Sequence, residues 1–495
     1  MLQEIISGLL SIFDPMILLL IFGGVIFGLV FGLLPGLGGL TVLALLMPLC
    51  FKMEPVSGLA LLMAAYSVIY QGGSITAILL NIPGTGPNAA TLLDGFPMTQ
   101  QGRSGRAIGI AETASALGGI FGAIVLALII PGIRPVVMAF GSPECFMLVF
   151  MGLCFIAILA TASPIKGLIA GGLGLIISFI GYHGVTAITR FTFGNLYLYD
   201  GIRLISLALG IFAIPEAINL MTTGGTIAKV KGPVTTTTSD VIEGMKDVFR
   251  HWWLFLRSSA IGTLVGIVPG VGGDVSVFVA YGQAKQTSKH PERFGTGCVE
   301  GVIAPESANN AKEGGSLVPT LAFGIPGSAG MALLLGALLI LGLVPGPSFL
   351  KEHLDLTFTM VGTIVLSCIT ASTICLLLAP KLAKIAYVPG HILAPIILVL
   401  VTLGAYAVAN DMRDVFSAFV FGGLGYAMAK YDYSRPALFL GYILGVLAER
   451  YLHISLEAFG WRFILQPVSL VLLIIIILTL FSRVIGKLFG RLRGA

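Results

Sequence analysis

A glycine- and proline-broken stretch occurs twice in this chain, each time inside apolar sequence. The first copy reads Gly72-Gly73-Ser74-Ile75-Thr76-Ala77-Ile78-Leu79-Leu80-Asn81-Ile82-Pro83-Gly84-Thr85-Gly86. The second reads Gly314-Gly315-Ser316-Leu317-Val318-Pro319-Thr320-Leu321-Ala322-Phe323-Gly324-Ile325-Pro326-Gly327-Ser328. Each opens Gly-Gly-Ser, continues as a short apolar run and breaks at Ile-Pro-Gly before a hydroxyl residue. Apolar sequence resumes at Ala89 to Leu93 and at Met331 to Leu341. The runs before the breaks are too short to cross a bilayer, which takes about 20 apolar residues. The pattern therefore predicts two re-entrant hairpins, around 72–100 and 314–343: half a helix in, a broken tip, a helix back out. Irregular backbone at membrane depth persists only where it is buried in protein or lines a wet cavity. Two such elements in corresponding halves point to a transporter's binding site.

The surroundings fit a membrane. Only 10% of the 495 residues are charged, against roughly 25% in a soluble domain. The expected fold is an all-α polytopic membrane protein. The net charge of +5 does not imply nucleic acid, because the basic residues sit in short loops between apolar runs, as in cytoplasmic loops of membrane proteins. The cysteines are scattered, with no zinc or disulfide spacing. No basic n-region of a cleaved signal peptide precedes the first span.

The duplication is wider than the hairpins. The first span, Pro15 to Leu34, ends in Gly32-Leu33-Leu34-Pro35-Gly36-Leu37-Gly38-Gly39. Gly266-Ile267-Val268-Pro269-Gly270-Val271-Gly272-Gly273 repeats that ending after Trp252 to Val268. Gly171-Gly172-Leu173-Gly174 is echoed by Gly422-Gly423-Leu424-Gly425. Three matches in one order indicate an internal repeat. The first repeat spans 1–221 and the second 252–455. A polar linker, 222–251, joins them as a cytoplasmic loop, and 456–495 holds an extra C-terminal span, Phe463 to Phe481, with a basic tail. Loop charge gives the relative orientation. In the first half the basic loop, Arg103 and Arg106, follows the hairpin; in the second half Lys285, Lys289 and Arg293 precede the equivalent helix. If both are cytoplasmic, the repeats are inverted. About seven crossings per half are expected.

The breaks are the first candidates for chemistry. Half-helix N-termini present unpaired N–H groups that suit a carboxylate, and broken backbone offers carbonyls that suit a sodium ion. Ser74, Thr76, Thr85, Gly86 and Asn88 in the first copy, with Ser316 and Ser328 in the second, are candidate substrate contacts. Gly36, Gly38, Asn81, Gly270, Gly272 and Thr320 are candidate cation contacts. The alternative is that these small residues simply allow close helix packing. The polar stretch ahead of the second hairpin, Ala304 to Glu313, adds Asn309 and Asn310 for substrate or cation and Glu306 for an ion or proton, since such groups are costly to expose to lipid. On the alternative reading Lys312 and Glu313 lie at the interface. Aligning the Gly-Gly pairs sets Ser67 opposite Asn309 and Tyr70 opposite Lys312. Glu112 is expected to snorkel or to pair with Arg106, with a proton site as the alternative reading.

These segments, Gly32 to Gly39, Gly72 to Gly86 with Asn88, Gly266 to Gly273 and Ala304 to Ser328, together resemble the large membrane subunit of the tripartite tricarboxylate transporters, the TctA family. The resemblance implies a small four-helix membrane subunit and a periplasmic solute-binding protein as partners. It also implies a bacterial inner membrane and uptake of a citrate-like carboxylate driven by a cation gradient, commonly sodium, with no cofactor. A stand-alone carboxylate symporter and a channel are the rival readings. An enzyme is disfavoured: no His-Glu-x-x-His, no Gly-x-Ser-x-Gly elbow and no phosphate-binding Gly-Lys-Ser/Thr follows the glycine segments.

Overall fold

The computed structural model describes residues 1–34, 37–138, 140–159, 163–183, 188–222, 237–269, 273–382, 390–474 and 476–477. The described chain is helical apart from one two-residue ladder, Gly181–Tyr182 against Thr189–Arg190. Among the described residues, seven helices are long and apolar enough to cross a membrane, and five shorter apolar helices accompany them.

The first half begins with α1 (Leu2–Ser11), an amphipathic lead, and α2 (Pro15–Leu33). Asp14 starts α2: its carboxylate accepts from the Met16 and Ile17 N–H groups, and Pro15 supplies the favoured first-turn φ. Next come α3 (Gly39–Cys50), α4 (Pro55–Leu80), α5 (Asn88–Gln100) and α6 (Ser104–Met138). Then follow α7 (Ser142–Leu159), α8 (Pro164–Ser178), α9 (Leu204–Ala208), a π-turn at Leu209–Ala213 and α10 (Ile214–Thr222).

The second half opens with α11 (Thr238–Arg250), α12 (Trp252–Ile267), α13 (Gly273–Thr287), α14 (Glu300–Phe323) and α15 (Ala329–Ile340). It continues through α16 (Pro347–Glu352), α17 (Leu354–Leu382), α18 (Gly390–Ala409), α19 (Met412–Lys430) and α20 (Arg435–Phe459). Of the expected linker, 223–236 lies outside the described residues. Its end is no loop but α11, which packs on α6: the Asp247 carboxylate, buried, takes both Nε and Nη2 of Arg106. Gly460–Leu465 is a 3-10 segment, so the C-terminal helix starts later than Phe463; its expected end and the basic tail lie outside the described residues.

The broken stretches differ from the hairpin expectation in two ways. First, the glycine pairs do not open half-helices. Gly72 and Gly73 lie inside the 26-residue α4, and Gly314 and Gly315 inside the 24-residue α14. Each helix recruits N-terminal residues that an apolar count leaves out. Second, the chain does not turn back at the break. Asn81 (φ 59°) and Gly324 (φ 68°) end their helices in the left-handed conformation, and Pro83 and Pro326 keep the helix from resuming at once. The strand of irregular chain then drops back beside the helix it left, so that Gly84 N–H reaches Gly73 O (3.4 Å). From there α5 runs in the same direction as α4: Asn88 bonds Tyr70 O and Ser74, whereas Thr99, at the far end, bonds Ile78 O. Each break therefore sits in a discontinuous helix.

The pair that does turn back is α2 and α3. Helix α2 lies parallel to α4, with Gly24, Gly28 and Gly32 against Leu61, Ala65 and Ile69. It ends part-way along α4. Helix α3 then returns, from Gly39 beside Tyr66 to Cys50 beside Gly58. The Gly28 and Gly32 seam matters because a Cβ at either would stand 2.2 Å from the facing carbonyl oxygen.

The same contacts recur in the second half. Gly262 and Gly266 of α12 meet Ala308 and Lys312 of α14, as Gly28 and Gly32 meet Ala65 and Ile69. Gly327 lies against Ser316 and Gly266 O, as Gly84 lies against Gly73 and Gly32 O. These pairings correct the sequence alignment by one residue. Asn309 corresponds to Tyr66 and Asn310 to Ser67, because the second copy carries one extra residue between Gly-Gly and Ile-Pro-Gly. Helices α4 and α14 cross antiparallel, with Ser74 meeting Glu306 and Ser67 O meeting Asn310. The basic loops expected on one face do touch: Gln101 Nε2 donates to Thr296 O at 2.7 Å.

Candidate functional site

Three helices converge on one carboxylate. Glu306 of α14 is fully buried. Its Oε1 accepts from Ser74 Oγ of α4 (2.7 Å) and from Thr91 Oγ1 of α5, and its Oε2 accepts from Ser115 Oγ of α6 (2.5 Å). Ser74 Oγ in turn accepts from Asn88 Nδ2 (2.8 Å), and Asn88 Oδ1 accepts from Thr85 Oγ1 (2.5 Å). A chain of hydrogen bonds thus leads from the first break into the bundle. Of the predicted residues, Ser74, Thr85, Asn88 and Glu306 are brought together directly. Thr76 is buried but bonds back to Gly73 O within its helix. Asn81 is the exposed helix end.

The second break is built differently. Thr320 Oγ1 donates to Ser316 O (2.6 Å) and accepts from Gly327 N (3.3 Å); Ser328 caps α15 by accepting from Met331 N. Residues Gly324 to Ser328 are all buried, whereas Gly86 at the first break is exposed. Gly36, Gly270 and Gly272 lie outside the described residues.

The polar stretch of α14 is wholly inside. Asn309, Asn310, Lys312 and Glu313 are each 1% exposed, so Lys312 and Glu313 are not at an interface. Lys312 Nζ stands 3.8 Å from Glu313 Oε1 and 4.1 Å from the centre of the Tyr70 ring. Asn310 Nδ2 reaches Ser67 O (3.4 Å), and neither amide atom of Asn309 has a hydrogen-bond partner among the described residues. Glu112 neither snorkels nor pairs with Arg106, which is taken by Asp247. It is fully buried, with Ser372 and the Cys375 thiol as neighbours but, among the described residues, no donor in bonding geometry on either oxygen.

A cavity of about 360 Å³ opens on the first break. Gly38, Gly84, Thr85 and Gly86 line it from the N-cap of α3 and the first break, and Phe212, Glu216 and Arg435 line it from the π-turn, α10 and α20. Sequence reasoning placed Gly38, Thr85 and Gly86 here and missed Glu216 and Arg435, which come from α10 and α20. It also missed Thr91 and Ser115. Thr91 lies one helical turn after Asn88 and could have been found by that spacing; Ser115 and Arg435 carried no local signal. Elsewhere His183 joins Glu449 and His453, one turn apart on α20, with the three ligand atoms within 4.8 Å of one another. Arg190 already grips both oxygens of that glutamate.

The family model of the tripartite tricarboxylate transporter TctA family matches residues 18–440. The chain belongs to the TctA family. Two proteins of Agrobacterium vitis are similar to it. An uncharacterized 52.8 kDa protein in the TAR-I ttuC' 3'region is 34% identical over 455 residues, 91% of this chain and 90% of that one. An uncharacterized protein in the TAR-II ttuC' 3'region is 35% identical over 191 residues, 39% of this chain and 79% of that one. No solved structure matches. A TctA-family chain is the large membrane component of a tripartite tricarboxylate transporter. This protein is accordingly a multi-pass membrane protein and a transporter component, not an enzyme.

Proposed function

We propose that this TctA-family subunit imports an organic di- or tricarboxylate across a bacterial inner membrane by alternating access. It would do so with a small four-helix membrane subunit and a periplasmic solute-binding protein, driven by a cation gradient, sodium being the expected ion. The observation that carries the reading is the unequal state of two equivalent breaks: the first faces a cavity, the second is buried. Inverted repeats held in two different conformations would produce that asymmetry, and exchanging them would open the other face. The antiparallel crossing of α4 and α14 supports inversion. The helices around the two breaks would move against a scaffold that includes α7 to α10 and α18 to α20. Substrate would sit at Thr85, Gly86 and the adjoining network of Asn88 and Ser74, with Asn309, Asn310, Ser316 and Ser328 serving when the second break opens. The cation would use Gly38, Asn81, Glu306 and Thr320, and Glu112 offers a second carboxylate within the bundle.

The test is uptake of labelled citrate into proteoliposomes holding this chain and its small subunit. Accumulation that needs both an inward sodium gradient and the cognate binding protein supports the reading. Accumulation without the binding protein replaces it with a stand-alone symporter. Flux that never exceeds equilibrium replaces it with a channel.

Asn309 gives a sharper expectation. A buried amide without partners costs stability, so an apolar isostere should be neutral or stabilising. Asn309→Leu should keep or raise the unfolding temperature while lowering uptake at least tenfold. Unchanged uptake would remove Asn309 from the site.

A further inference from the structure

We propose that Arg435 is the residue that grips a carboxylate of the transported anion in the first-break cavity, and that Glu216 is the internal anion it holds when the cavity is empty. This rests on the carboxylate reading above and assigns the site its charge-recognising group. Among the described residues lining the cavity, Arg435 is the one cation and Glu216 the one anion. Both are partly enclosed, with side chains 22% and 15% exposed.

The geometry leaves Arg435 under-used. One nitrogen, Nη2, meets Glu216 Oε1 at 2.9 Å, and Nη1 makes only a long contact of 3.5 Å to Ile211 O. A guanidinium presents five donors in a planar fork that matches a carboxylate through two parallel bonds. A single-point ion pair at a cavity wall is therefore a partner that a better-placed carboxylate can displace. The part of the lining contributed by the first break offers donors for a second negative group. Among the described residues the backbone N–H groups of Thr85 and Gly86 have no acceptor. Gly38, where an added Cβ would meet nothing within 4 Å, leaves open space in the lining. A cavity of this size lies within the range that encloses a small organic ligand. An anion with more than one carboxylate would engage Arg435 and the Thr85 and Gly86 N–H groups together, which favours di- and tricarboxylates over monocarboxylates.

Displacement also makes a switch. With Arg435 drawn onto substrate, Glu216 loses its cation, and α10 loses its tie to α20. Substrate and Glu216 then compete for one guanidinium, so changing either partner must move affinity in opposite directions. A purely structural pair predicts no such opposition.

The experiment measures uptake of labelled succinate, malate, citrate and acetate by the reconstituted complex, together with the shift in unfolding temperature that each anion causes. Arg435→Lys keeps the charge but loses the fork. It should raise KM for the preferred di- or tricarboxylate at least tenfold, with the ligand-free unfolding temperature little changed. Glu216→Gln keeps the shape and removes the competitor; it should lower KM severalfold and enlarge the ligand-induced shift. Acetate should give neither uptake nor shift. Overturning results are an unchanged KM in Arg435→Lys, or both variants losing stability and affinity together, which marks a structural bolt. If the wild-type complex takes up none of the carboxylates, the carboxylate reading itself fails, and that outcome is separate from normal wild-type uptake with indifferent variants.

Discussion

Glu306→Ala should cost the folded protein roughly 3 kcal/mol or more and abolish uptake, because it strips the common acceptor from hydroxyls on three helices. Hydrogen bonds to an ionised group contribute about 1.5–3 kcal/mol each, and a donor left unsatisfied in the interior costs a comparable amount. The loss will be less than the sum of three. Ser74 Oγ also stands 2.9 Å from Tyr70 O and can turn its one proton there instead; the burden falls on Thr91 and Ser115. Glu306→Gln separates structure from coupling. It keeps Oε1 as an acceptor, and the hydroxyls can rotate to accept from the new amide, so the unfolding temperature should stay close to wild type. What it removes is the charge. If that charge attracts the driving cation, Glu306→Gln should fold, bind substrate and lose gradient-driven accumulation. Retained sodium-driven uptake in Glu306→Gln would reduce Glu306 to a tie between α14 and the first break.

Much of this was legible in the sequence because it depends on local chemistry. Pro83 and Pro326, each followed by glycine, disfavour continuous helix there, and the expense of a buried carboxylate points at Glu306 in any membrane fold. The direction of the chain after each break was not legible. A helix that resumes beyond Ile-Pro-Gly can return or continue, and the choice is made by what it packs on: Gly95 lets α5 lie against Ile78, and Asp94 anchors its middle by accepting from the Gly297 and Cys298 N–H groups across the molecule. The N-terminal half of α14 was hidden for a related reason. Glu306, Asn309, Asn310, Lys312 and Glu313 look like the end of a span when scored by hydropathy, yet α6, α12 and α17 enclose them, so none meets lipid. The one-residue error in aligning the repeats arose because the Gly-Gly pairs are the visible anchor, whereas the conserved geometry runs from the left-handed helix ends, Asn81 and Gly324. Arg435 and Glu216 needed tertiary structure outright, since nothing near either residue in sequence marks a cavity wall.

Gly314→Val should prevent assembly of the folded protein. Helix α14 crosses α6 at the closest backbone approach among the described glycines of these two helices: a Cβ at Gly314 would stand 2.0 Å from Gly122 O and 2.2 Å from Gly122 C. Both atoms are backbone, so no side chain can swing aside; one helix must move. Overpacking a well-packed interior commonly costs about 1–3 kcal/mol even where side chains can adjust, and this contact lacks that relief. The displacement would also reach the site, because Ser115 lies two turns from Gly122 on α6 and Glu306 lies on the same α14. Gly314→Ala should already lower the unfolding temperature, and Gly314→Val should leave little monodisperse protein after detergent extraction. Gly282→Ala is the control. It lies in α13, where an added Cβ meets nothing within 4 Å, and an alanine there should be neutral or slightly stabilising through helix propensity. Measured side by side, equal behaviour of Gly314→Ala and Gly282→Ala would show that the α6–α14 crossing is loose enough to open. A selective loss at Gly314 would instead mark that crossing as fixed during transport, leaving motion to the less tightly joined contacts between α15 and α20 and between α3 and α18.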